Sequence, residues 1–236
     1  MQINYFPKNN LEKFGAKVYS ALVENFSQTF FVGGMVRDLL LNIPIHDIDI
    51  TTSAKPEEVI KILNKYKIKY SDEFKNFGNI TAMFKNYKIE ITTFRKDIKG
   101  ESRYPKVIFT NSYEQDSNRR DFTINSLYLS LKNNTILDPQ KGLIDFKNKI
   151  IRFIGKPQVK IKQDPLRILR ALRFALVLNF KIENRTMLAI QNNYSDIKKL
   201  TKTKIEKEIN KIKNKKMQKI IFEVINNPNC LDKYFK

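Results

Sequence analysis

The first half of the chain alternates short apolar runs with segments of helical spacing. Strict apolar–polar alternation, or a short unbroken apolar run, is typical of strands, whereas apolar residues three and four apart are typical of helices. These patterns predict strands at residues 29–32, 45–51, 79–84, 88–94 and 106–109. Helices are predicted at residues 35–41 and at residues 55–66, where Pro56 marks the start. The polar stretch 97–117 is predicted to be a loop around the last of these strands.

From about Asp164 onward the pattern becomes helical. Helices are predicted at residues 165–179, 183–193 and 202–225. For the first of them Asp164 is the expected N-cap and Pro165 the expected first helical residue. The sequence contains neither an internal repeat nor a flexible Gly/Ser linker. It therefore predicts an α+β head at residues 1–150, followed by an all-α neck with a short basic C-terminal remnant at residues 151–236.

The amino-acid composition indicates a polyanionic partner. The chain has 44 Lys and Arg against 24 Asp and Glu, a formal net charge of +20. Such an excess favours nucleic acid, because each phosphate contact releases a counterion. A lysine-rich composition imposed by an AT-rich genome explains the charge equally well. The single cysteine, Cys230, and the absence of a leader or a long apolar run lead us to expect a soluble cytoplasmic protein with no membrane partner.

Two aspartates alternate with isoleucines on the second predicted strand. Because side chains alternate along a strand, Asp47 and Asp49 are predicted to share one face, and His46 the opposite face with the isoleucines. Neighbouring carboxylates repel unless a proton or a cation lies between them, and Mg²⁺ commonly takes one or two carboxylates together with phosphates and water. The pair is therefore a candidate metal site for nucleotidyl transfer. Taken alone, it is more often an ordinary exposed strand edge.

A glycine pair separates the first predicted strand from the helix that follows. Gly33 and Gly34 let the backbone approach a ligand closely, and a helix N-terminus binds phosphate through its free N–H groups. Arg37, in the first turn, opposes the helix dipole unless an anion is near. The run is neither a Walker A loop nor a G-x-G-x-x-G fingerprint. By itself, a plain glycine turn with a surface arginine is the simpler explanation.

Arginine and aspartate recur together at two later places. In residues 119–125 (RRDFTIN), Arg120 suits a phosphate and Asp121 a ribose hydroxyl, although a local surface pair is the alternative. The helix predicted from residue 165 carries a slanted stripe of arginines three residues apart, namely Arg167, Arg170 and Arg173. Most other positions of that helix are apolar, so the arginines are expected to be buried and to need partners. A bound nucleotide would supply them.

Three runs together carry a family resemblance: residues 33–40 (GGMVRDLL), 46–51 (HDIDIT) and 119–125 (RRDFTIN). They resemble the signature of the class II tRNA nucleotidyltransferases (CCA-adding enzymes) and the bacterial poly(A) polymerases. The resemblance implies a polymerase-β-like nucleotidyltransferase head, a small mixed sheet with helices, followed by a helical neck. It also implies transfer of CMP, AMP or both from CTP and ATP to the 3′ end of tRNA, with Mg²⁺ or Mn²⁺ and release of pyrophosphate. A CC-adding or A-adding enzyme, a poly(A) polymerase and a non-catalytic RNA-binding relative are the alternatives.

The resemblance also implies roles for single residues. Asp47 and Asp49 would be the catalytic metal ligands, with Glu90 on a neighbouring predicted strand as a candidate third carboxylate. The implied nucleotide contacts are Gly33, Gly34, Arg37, Arg120, Asp121, Asp164, Arg167, Arg170 and Arg173. Asp164 and Arg167 would bind the Watson–Crick edge of the incoming base, since a carboxylate accepts from the exocyclic amine that C and A share.

The chain departs from the family at several places. Gln163 replaces the acidic residue that orients the template arginine, and we expect it to accept a hydrogen bond from Arg167 without charge assistance. Residues 113–117 depart from the usual acidic-Leu pattern. Residues 101–105, in the loop tied to the change from C to A addition, look shortened.

The resemblance covers residues 30–179 well and fades through residues 204–208, so the chain looks C-terminally shortened. The parts that grip tRNA in longer relatives look nearly absent, while the last 46 residues hold 12 Lys against five acidic residues. We expect tRNA phosphates to bind instead to lysines of the helix predicted from residue 202, namely Lys211, Lys213, Lys215 and Lys216. A solvated lysine face is the alternative. Nothing in the sequence defines a homo-oligomer or a helper subunit.

Overall fold

The structure, a computed structural model, describes residues 1–26, 28–98 and 107–235. The chain divides into two compact units, Met1–Arg120 with Asn125–Gly142, and Asp121–Ile124 with Leu143–Lys236. The segment Asp121–Ile124 belongs to the second unit because Phe122 stacks on Phe153, with ring centroids 4.8 Å apart. The division therefore falls near Gly142 and not at residue 150.

The first unit is built on a seven-stranded mixed sheet. The described strands of this unit, seven in the sheet and two in a separate pair, are in chain order β1 (Thr29–Val32), β2 (Ile48–Thr52), β3 (Lys69–Ser71), β4 (Asn79–Phe84), β5 (Tyr87–Thr93), β6 (Arg95–Asp97), β7 (Val107–Phe109), β8 (Tyr128–Ser130) and β9 (Thr135–Leu137). The sheet order is β3-β4-β5-β2-β1-β8-β9, in which β2 and β5 are parallel and the other neighbours antiparallel. Strands β6 and β7 form a separate antiparallel pair. The helices of this unit are α1 (Asn10–Val23), α2 (Gly34–Leu40), α3 (Pro56–Lys65) and α4 (Tyr113–Ser117).

Strand β1 lies at the centre of the core and is buried along its whole length. Phe31 faces α1, where it stacks on Tyr19 at 5.2 Å. Phe30 and Val32 face the other side of the sheet and form a buried cluster there with Tyr128. Burial on both faces explains why this strand reads as an unbroken apolar run and not as an alternating one.

The second unit is mainly helical. Its helices are α5 (Gly142–Lys147), which begins at the boundary, α6 (Pro157–Gln163), α7 (Leu166–Leu178), α8 (Asn184–Asn192), α9 (Lys202–Ile209), α10 (Lys215–Asn226) and α11 (Leu231–Phe235). Helix α7 supplies the core with Ile168, Leu169 and Leu172, all almost fully buried. The expectation of an all-α neck is wrong in one detail, because β10 (Ile150–Ile151) and β11 (Lys181–Ile182) form a short parallel pair.

Three further expectations differ from the structure. The single helix predicted at residues 202–225 is wrong: the chain leaves the helix after Ile209, and Asn214 starts a new one by accepting from the N–H groups of Lys216 and Met217. Helix α1 was not predicted, and α4 replaces part of the predicted loop 97–117.

The segment 101–105 lies outside the described residues. Within the described ranges no helix combines the length and the apolar character that a bilayer span requires.

Candidate active site

The glycine turn lies directly beside one of the two aspartates. Strands β1 and β2 are antiparallel with Val32 opposite Asp49, so the next residue, Gly33, meets the Asp49 side chain. Gly33 has φ +75°, a backbone conformation that residues with a side chain rarely adopt, and a Cβ there would lie 3.4 Å from Asp49 Oδ2. Helix α2 begins at the next residue, Gly34. A buried glycine without a side chain therefore borders the carboxylate, and the more exposed Gly34 follows it.

The alternation predicted around the aspartates holds only inside the strand. Ile48 and Ile50 are buried and Asp49 is half-buried on the opposite face, as predicted. The strand begins at Ile48, three residues later than expected, so Asp47 and His46 precede it. The strand period does not extend to His46, so the alternation gives no orientation for that side chain. Both His46 and Asp47 are exposed and line one surface depression.

The donor set at this place suits a hard divalent cation. Two carboxylates flank Ile48, and Mg²⁺ is usually held by one or two carboxylates, with phosphates and water completing its shell. Glu90 is paired in register with Asp49 on β5, and its Oε2 accepts a long hydrogen bond of 3.4 Å from Asn79 Nδ2. Among the described residues no group of three or more His, Cys, Asp or Glu side chains is arranged to hold a metal. Asp47 and Asp49 thus fit a cation that a substrate shares, and Glu90 is a neighbour of that pair.

Arg37 is held beneath the glycine pair. It is 9% exposed, its Nε and Nη2 donate to Asp38 Oδ1 at 2.9 and 2.6 Å, and its Nη1 donates to Asn125 Oδ1 at 2.8 Å. A Cβ at Gly34 would lie 3.5 Å from Arg37 Nη2. The anion that the helix dipole requires is therefore the adjacent Asp38, and the guanidinium has a fixed position.

Asp116, on α4, is the fully buried acceptor at the centre of a cluster of cations. Its Oδ1 accepts from Arg119 Nε at 2.7 Å and from the backbone N–H of Arg95 at 3.2 Å. Its Oδ2 accepts from Arg120 Nη2 at 2.9 Å and from the Tyr128 hydroxyl at 3.0 Å. Burial by itself raises the pKa of Asp116, but the charges of Arg120 and Arg119 hold it below its ordinary value.

Sequence reasoning did not find Asp116. Its spacing of three and four residues from Arg119 and Arg120 is the signal that points to it, because such residues meet on one side of a helical turn. Arg120, expected to contact the nucleotide, has a side chain only 14% exposed and lies 5.1 Å over the Tyr128 ring.

Arg95 is a further cation of this cluster. Burial by itself lowers the pKa of Arg95, and the Arg119 charge adds to this, giving a pKa of about 10.

In the second unit, two arginines of the α7 stripe pair with carboxylates of the protein. Nε and Nη2 of Arg170 lie 2.8 and 2.6 Å from Asp121 Oδ2. Arg173 Nε donates to Glu208 Oε1 at 2.7 Å, and Glu208 Oε2 accepts from Lys211 Nζ at 2.8 Å. The expectation that a nucleotide must supply the missing partners is therefore wrong for these two arginines. Burial alone raises the pKa of Glu208, but its cationic neighbours, Arg173 first, hold it below its ordinary value.

The residues expected to bind the base lie at the start of α7. The helix begins at Leu166, with Pro165 at the N-cap position, so the predicted start is one residue too early. Asp164 still caps it, because its Oδ1 accepts the N–H of Leu166 at 3.1 Å. Arg167 Nη1 donates to the Lys160 carbonyl at 3.0 Å and to Gln163 Oε1 at 3.1 Å. The expected hydrogen bond between Gln163 and Arg167 is confirmed.

The four lysines expected to bind tRNA do not share one helix. Lys211 and Lys213 lie in the connection between α9 and α10, whereas Lys215 and Lys216 open α10. All four side chains are exposed. Lys211 is also paired with Glu208.

The sheet order, the glycine turn and the carboxylate beside it define a nucleotidyltransferase head. A profile of the poly A polymerase head domain matches residues 29–152. The chain belongs to this family.

Two curated relatives are CCA-adding enzymes. That of Staphylococcus saprophyticus is 38% identical over 208 residues, which are 87% of this chain and 51% of the relative. That of Streptococcus mutans is 41% identical over 176 residues, 74% of this chain and 43% of the relative. The chain thus spans about half the length of the curated relatives it matches.

Two solved structures are similar to the fold. The Bacillus stearothermophilus CCA-adding enzyme in complex with CTP gives a TM-score of 0.74 at 32% identity, over 86% of this chain and 48% of that one. A tRNA nucleotidyltransferase complexed with a primer tRNA and an incoming ATP analogue gives a TM-score of 0.68 at 29% identity. The match covers 89% of this chain and 59% of that one. The predicted α+β nucleotidyltransferase head followed by helices is confirmed.

Proposed function

We propose that this chain transfers CMP, AMP or both from CTP and ATP to the 3′ end of tRNA without a nucleic-acid template. The observation that carries the proposal is the bare backbone of Gly33 beside the Asp49 carboxylate, in a chain whose relatives are CCA-adding enzymes. A half-buried carboxylate next to a glycine suits a cation-bound triphosphate better than it suits a buried core.

Asp47 and Asp49 are the proposed ligands of a Mg²⁺ ion, or of Mn²⁺ in its place. When bound, such an ion neutralises phosphate charge and favours ionisation of a hydroxyl group. Gly33 and Gly34 allow the triphosphate to approach the backbone. Arg37 adds a positive charge in a fixed position, which stabilises developing negative charge without reorganisation.

Arg120 and Asp121 have separate roles in the proposal. Arg120, fixed by Asp116 and Tyr128, adds positive potential for phosphate oxygens. Asp121 Oδ1 accepts from the Phe122 N–H and Oδ2 from Arg170, and a carboxylate has further lone pairs that can accept from a ribose hydroxyl. Arg170 thereby orients Asp121.

The start of α7 supplies the proposed recognition of the base. Asp164 accepts from an exocyclic amine with acceptor capacity that its cap does not use. Arg167 Nη1 donates to two neutral acceptors, Gln163 and the Lys160 carbonyl, and a guanidinium has five N–H donors, so it can also donate to a ring nitrogen or carbonyl. Arg173, paired with Glu208, supports the helix electrostatically and is the least direct of the proposed contacts.

The reaction forms a bond between the acceptor 3′ oxygen and the α-phosphorus of the nucleoside triphosphate. The bond from the α-phosphorus to the bridging oxygen breaks, pyrophosphate leaves with the electron pair, and the hydroxyl proton passes to solvent. The residues of this chain act by positioning and by electrostatics, as is usual in phosphoryl and nucleotidyl transfer.

Incubation with tRNAs that end before CCA, after the first C and after the second C tests the proposal. Each nucleoside triphosphate is supplied alone, CTP and ATP are also supplied together, and the products are sized. Extension that stops at CCA supports the proposal. Extension that stops at CC or after a single A restricts the activity to that of a CC-adding or an A-adding enzyme. A long A tail identifies a poly(A) polymerase instead. Binding of tRNA with no extension in any lane would identify a non-catalytic RNA-binding relative.

A further inference from the structure

Asn125 is a buried polar residue to which the proposed function gives no role. It is 7% exposed, and its Oδ1 accepts from Arg37 Nη1 at 2.8 Å. The two residues are 88 positions apart in the sequence, and both belong to the first unit. The fold of that unit, and not a local turn, therefore brings the amide to the arginine.

The topology of the sheet explains why these two residues meet. Strand β8 is antiparallel to β1, with Tyr128 opposite Val32. Strand β1 ends at Val32, and α2 begins two residues later, at Gly34. Because the start of one antiparallel strand lies beside the end of its neighbour, the residues just before β8 reach the start of α2. Asn125 comes three residues before Tyr128.

Two acceptors on different elements hold the Arg37 guanidinium. Asp38, the next residue on α2, accepts from Nε at 2.9 Å and from Nη2 at 2.6 Å, both through its Oδ1. Asn125 accepts from the third nitrogen, Nη1. Asp38 belongs to the same helix and would move with Arg37, whereas Asn125 is fixed beside the end of β1. The amide therefore sets the direction of the guanidinium relative to the sheet.

The charge of the acceptor matters as much as its position. Asp38 already places one negative charge against Arg37. A second carboxylate at position 125 would also accept from Nη1, but it would give the guanidinium one more anion than its own charge balances. An anionic phosphate would then be repelled. An amide oxygen accepts the same hydrogen bond without a formal charge.

We propose that Asn125 is a positioning residue for the triphosphate, which fixes Arg37 at the glycine turn without adding negative charge beyond that of Asp38. This inference rests on the proposed function, in which the triphosphate lies against that turn. Gly34 is half-buried, and a Cβ there would lie 3.5 Å from Arg37 Nη2, so no side chain at position 34 covers that nitrogen. A cation held in advance stabilises phosphate charge without reorganisation.

The decisive variants are Asn125→Asp and Asn125→Ala. Asn125→Asp keeps the size of the side chain and an acceptor for Arg37 Nη1, now with charge assistance, so a merely structural role would be preserved. Asn125→Ala removes the acceptor. Asn64→Asp is the matched control, because it makes the same chemical change at an exposed residue of the same unit, whose Nδ2 donates only a long hydrogen bond of 3.4 Å to the Tyr70 hydroxyl.

The first measurement does not depend on nucleotide transfer. Calorimetric titration of the full chain with inorganic tripolyphosphate and Mg²⁺ reports the phosphate contacts alone, because this probe has neither a base nor a ribose. Asn125→Ala should raise its Kd about tenfold, as loss of a hydrogen bond to a charged group does. Asn125→Asp should raise the Kd by at least as much, with a melting temperature close to that of the unsubstituted protein. Asn64→Asp should change neither quantity.

A double-mutant cycle then shows whether Asn125 acts through Arg37. Asn125→Ala should lower kcat/KM for CTP about tenfold in the unsubstituted protein, but less than twofold when Arg37→Ala is already present, because residues that act as a unit are not additive. The same factor in both backgrounds would indicate a general effect on the fold and would overturn the inference.

The remaining outcomes separate the inference from the proposed function. Tripolyphosphate affinity that is unchanged in folded Asn125→Asp, or unchanged in folded Asn125→Ala, would overturn the positioning role even if nucleotide transfer is normal. Failure of both variants to fold would make Asn125 a structural residue and would overturn that role too. If only one variant folds, its Kd decides. Tripolyphosphate binding that depends on Asn125, in a protein that extends no tRNA, would overturn the proposed function and leave the positioning of Arg37 standing.

Discussion

Asp116 and Asp49 belong to the same unit, yet they show two opposite ways of placing a carboxylate. Asp116 is fully buried and both of its oxygens accept from donors that include two arginines. Asp49 is half-buried beside bare backbone, with the exposed Asp47 two residues before it. The Asp116 carboxylate has two arginines beside it, whereas Asp49 follows a second aspartate by two residues.

The difference indicates where the protein uses charge for stability and where it keeps charge for a ligand. A buried anion without its cations is costly, so the Asp116 cluster has to be complete for the unit to reach its full stability. Two neighbouring carboxylates at the surface are tolerated at a small cost, which a bound cation reverses. Substitutions at the two places should therefore separate stability from activity.

The largest expected effect is at the carboxylate pair. Asp49→Asn or Asp47→Asn should lower nucleotide addition by about 10³-fold or more, because a bound metal contributes several kcal/mol to such transfers. The melting temperature without metal should stay the same or rise slightly, since one repelling charge is gone. Asp72→Asn, an exposed aspartate of the same unit, is the control and should change neither quantity. Full activity of Asp49→Asn would contradict the assignment of the site.

The next effect is at Asp116 and concerns stability. Asp116→Asn keeps the shape of the side chain but leaves Arg119 and Arg120 without their anion, so the free energy of unfolding should fall by about 3 kcal/mol. Urea unfolding at pH 7 measures it. A variant as stable as the unsubstituted protein would show that the cluster contributes nothing net.

Acid provides an independent test of the same cluster. The folded pKa of Asp116 is lower than its ordinary value of 3.8, so the unfolded chain binds the proton more tightly. The stability that Asp116 contributes is present above pH 3.8 and is lost as the pH falls below that value towards the folded pKa. Unfolding curves between pH 5 and pH 2 should show a steeper loss for the unsubstituted protein than for Asp116→Asn. Equal slopes would contradict the pairing.

A smaller effect is expected at the four lysines of the second unit. Replacing Lys211, Lys213, Lys215 and Lys216 by Ala should weaken tRNA binding about tenfold at moderate salt and flatten its salt dependence, because fewer counterions are released. Lys211 should contribute least, as Glu208 already pairs with it. The matched control replaces four exposed lysines of the first unit, Lys55, Lys61, Lys65 and Lys69. Equal losses in both variants would indicate a general charge effect and no binding surface.

The smallest effect is at the neutral partner of Arg167. Gln163→Glu should raise kcat/KM for CTP and ATP a few-fold, because a charge-assisted hydrogen bond is roughly twice as strong and holds the guanidinium more firmly. Gln163→Ala should lower it by a similar factor, since the bond to Gln163 Oε1 is lost. Discrimination against UTP, measured in the same assays, should follow the same order. The reverse order would show that Gln163 does not position Arg167.

Local patterns predicted four of the seven strands of the sheet, β1, β2, β4 and β5, but they missed β3, β8 and β9 and the partners of the charges. Strands β1 and β4 match their predicted bounds, because apolar periodicity is a local property. Helix α1 has Gly15 near its centre, which weakens helix propensity, and close packing explains the glycine: a Cβ there would lie 2.9 Å from Ile48 Cδ1.

The residues of the candidate site show the same difference between local patterns and long-range contacts. The neighbourhood of Gly33 and Asp49 follows from a short motif and was predicted. The pairing of Arg173 with Glu208 joins residues 35 positions apart, and no spacing rule reaches that far. Sequence reasoning therefore identified the cations of α7 but assigned their charge balance to a ligand when the fold already supplies it.

The backbone at Gly33 has a consequence for chirality. Its φ of 75° and ψ of −133° are the mirror image of a conformation close to polyproline II, which an ordinary L residue adopts readily. L-alanine would suffer both the strained dihedrals and a methyl group 3.4 Å from Asp49 Oδ2. D-alanine, introduced by chemical ligation, would fit the dihedrals and direct its methyl group away from that oxygen. A single inverted stereocentre would thus remove both the backbone strain and the contact with the carboxylate, with the D form folding and functioning where the L form fails.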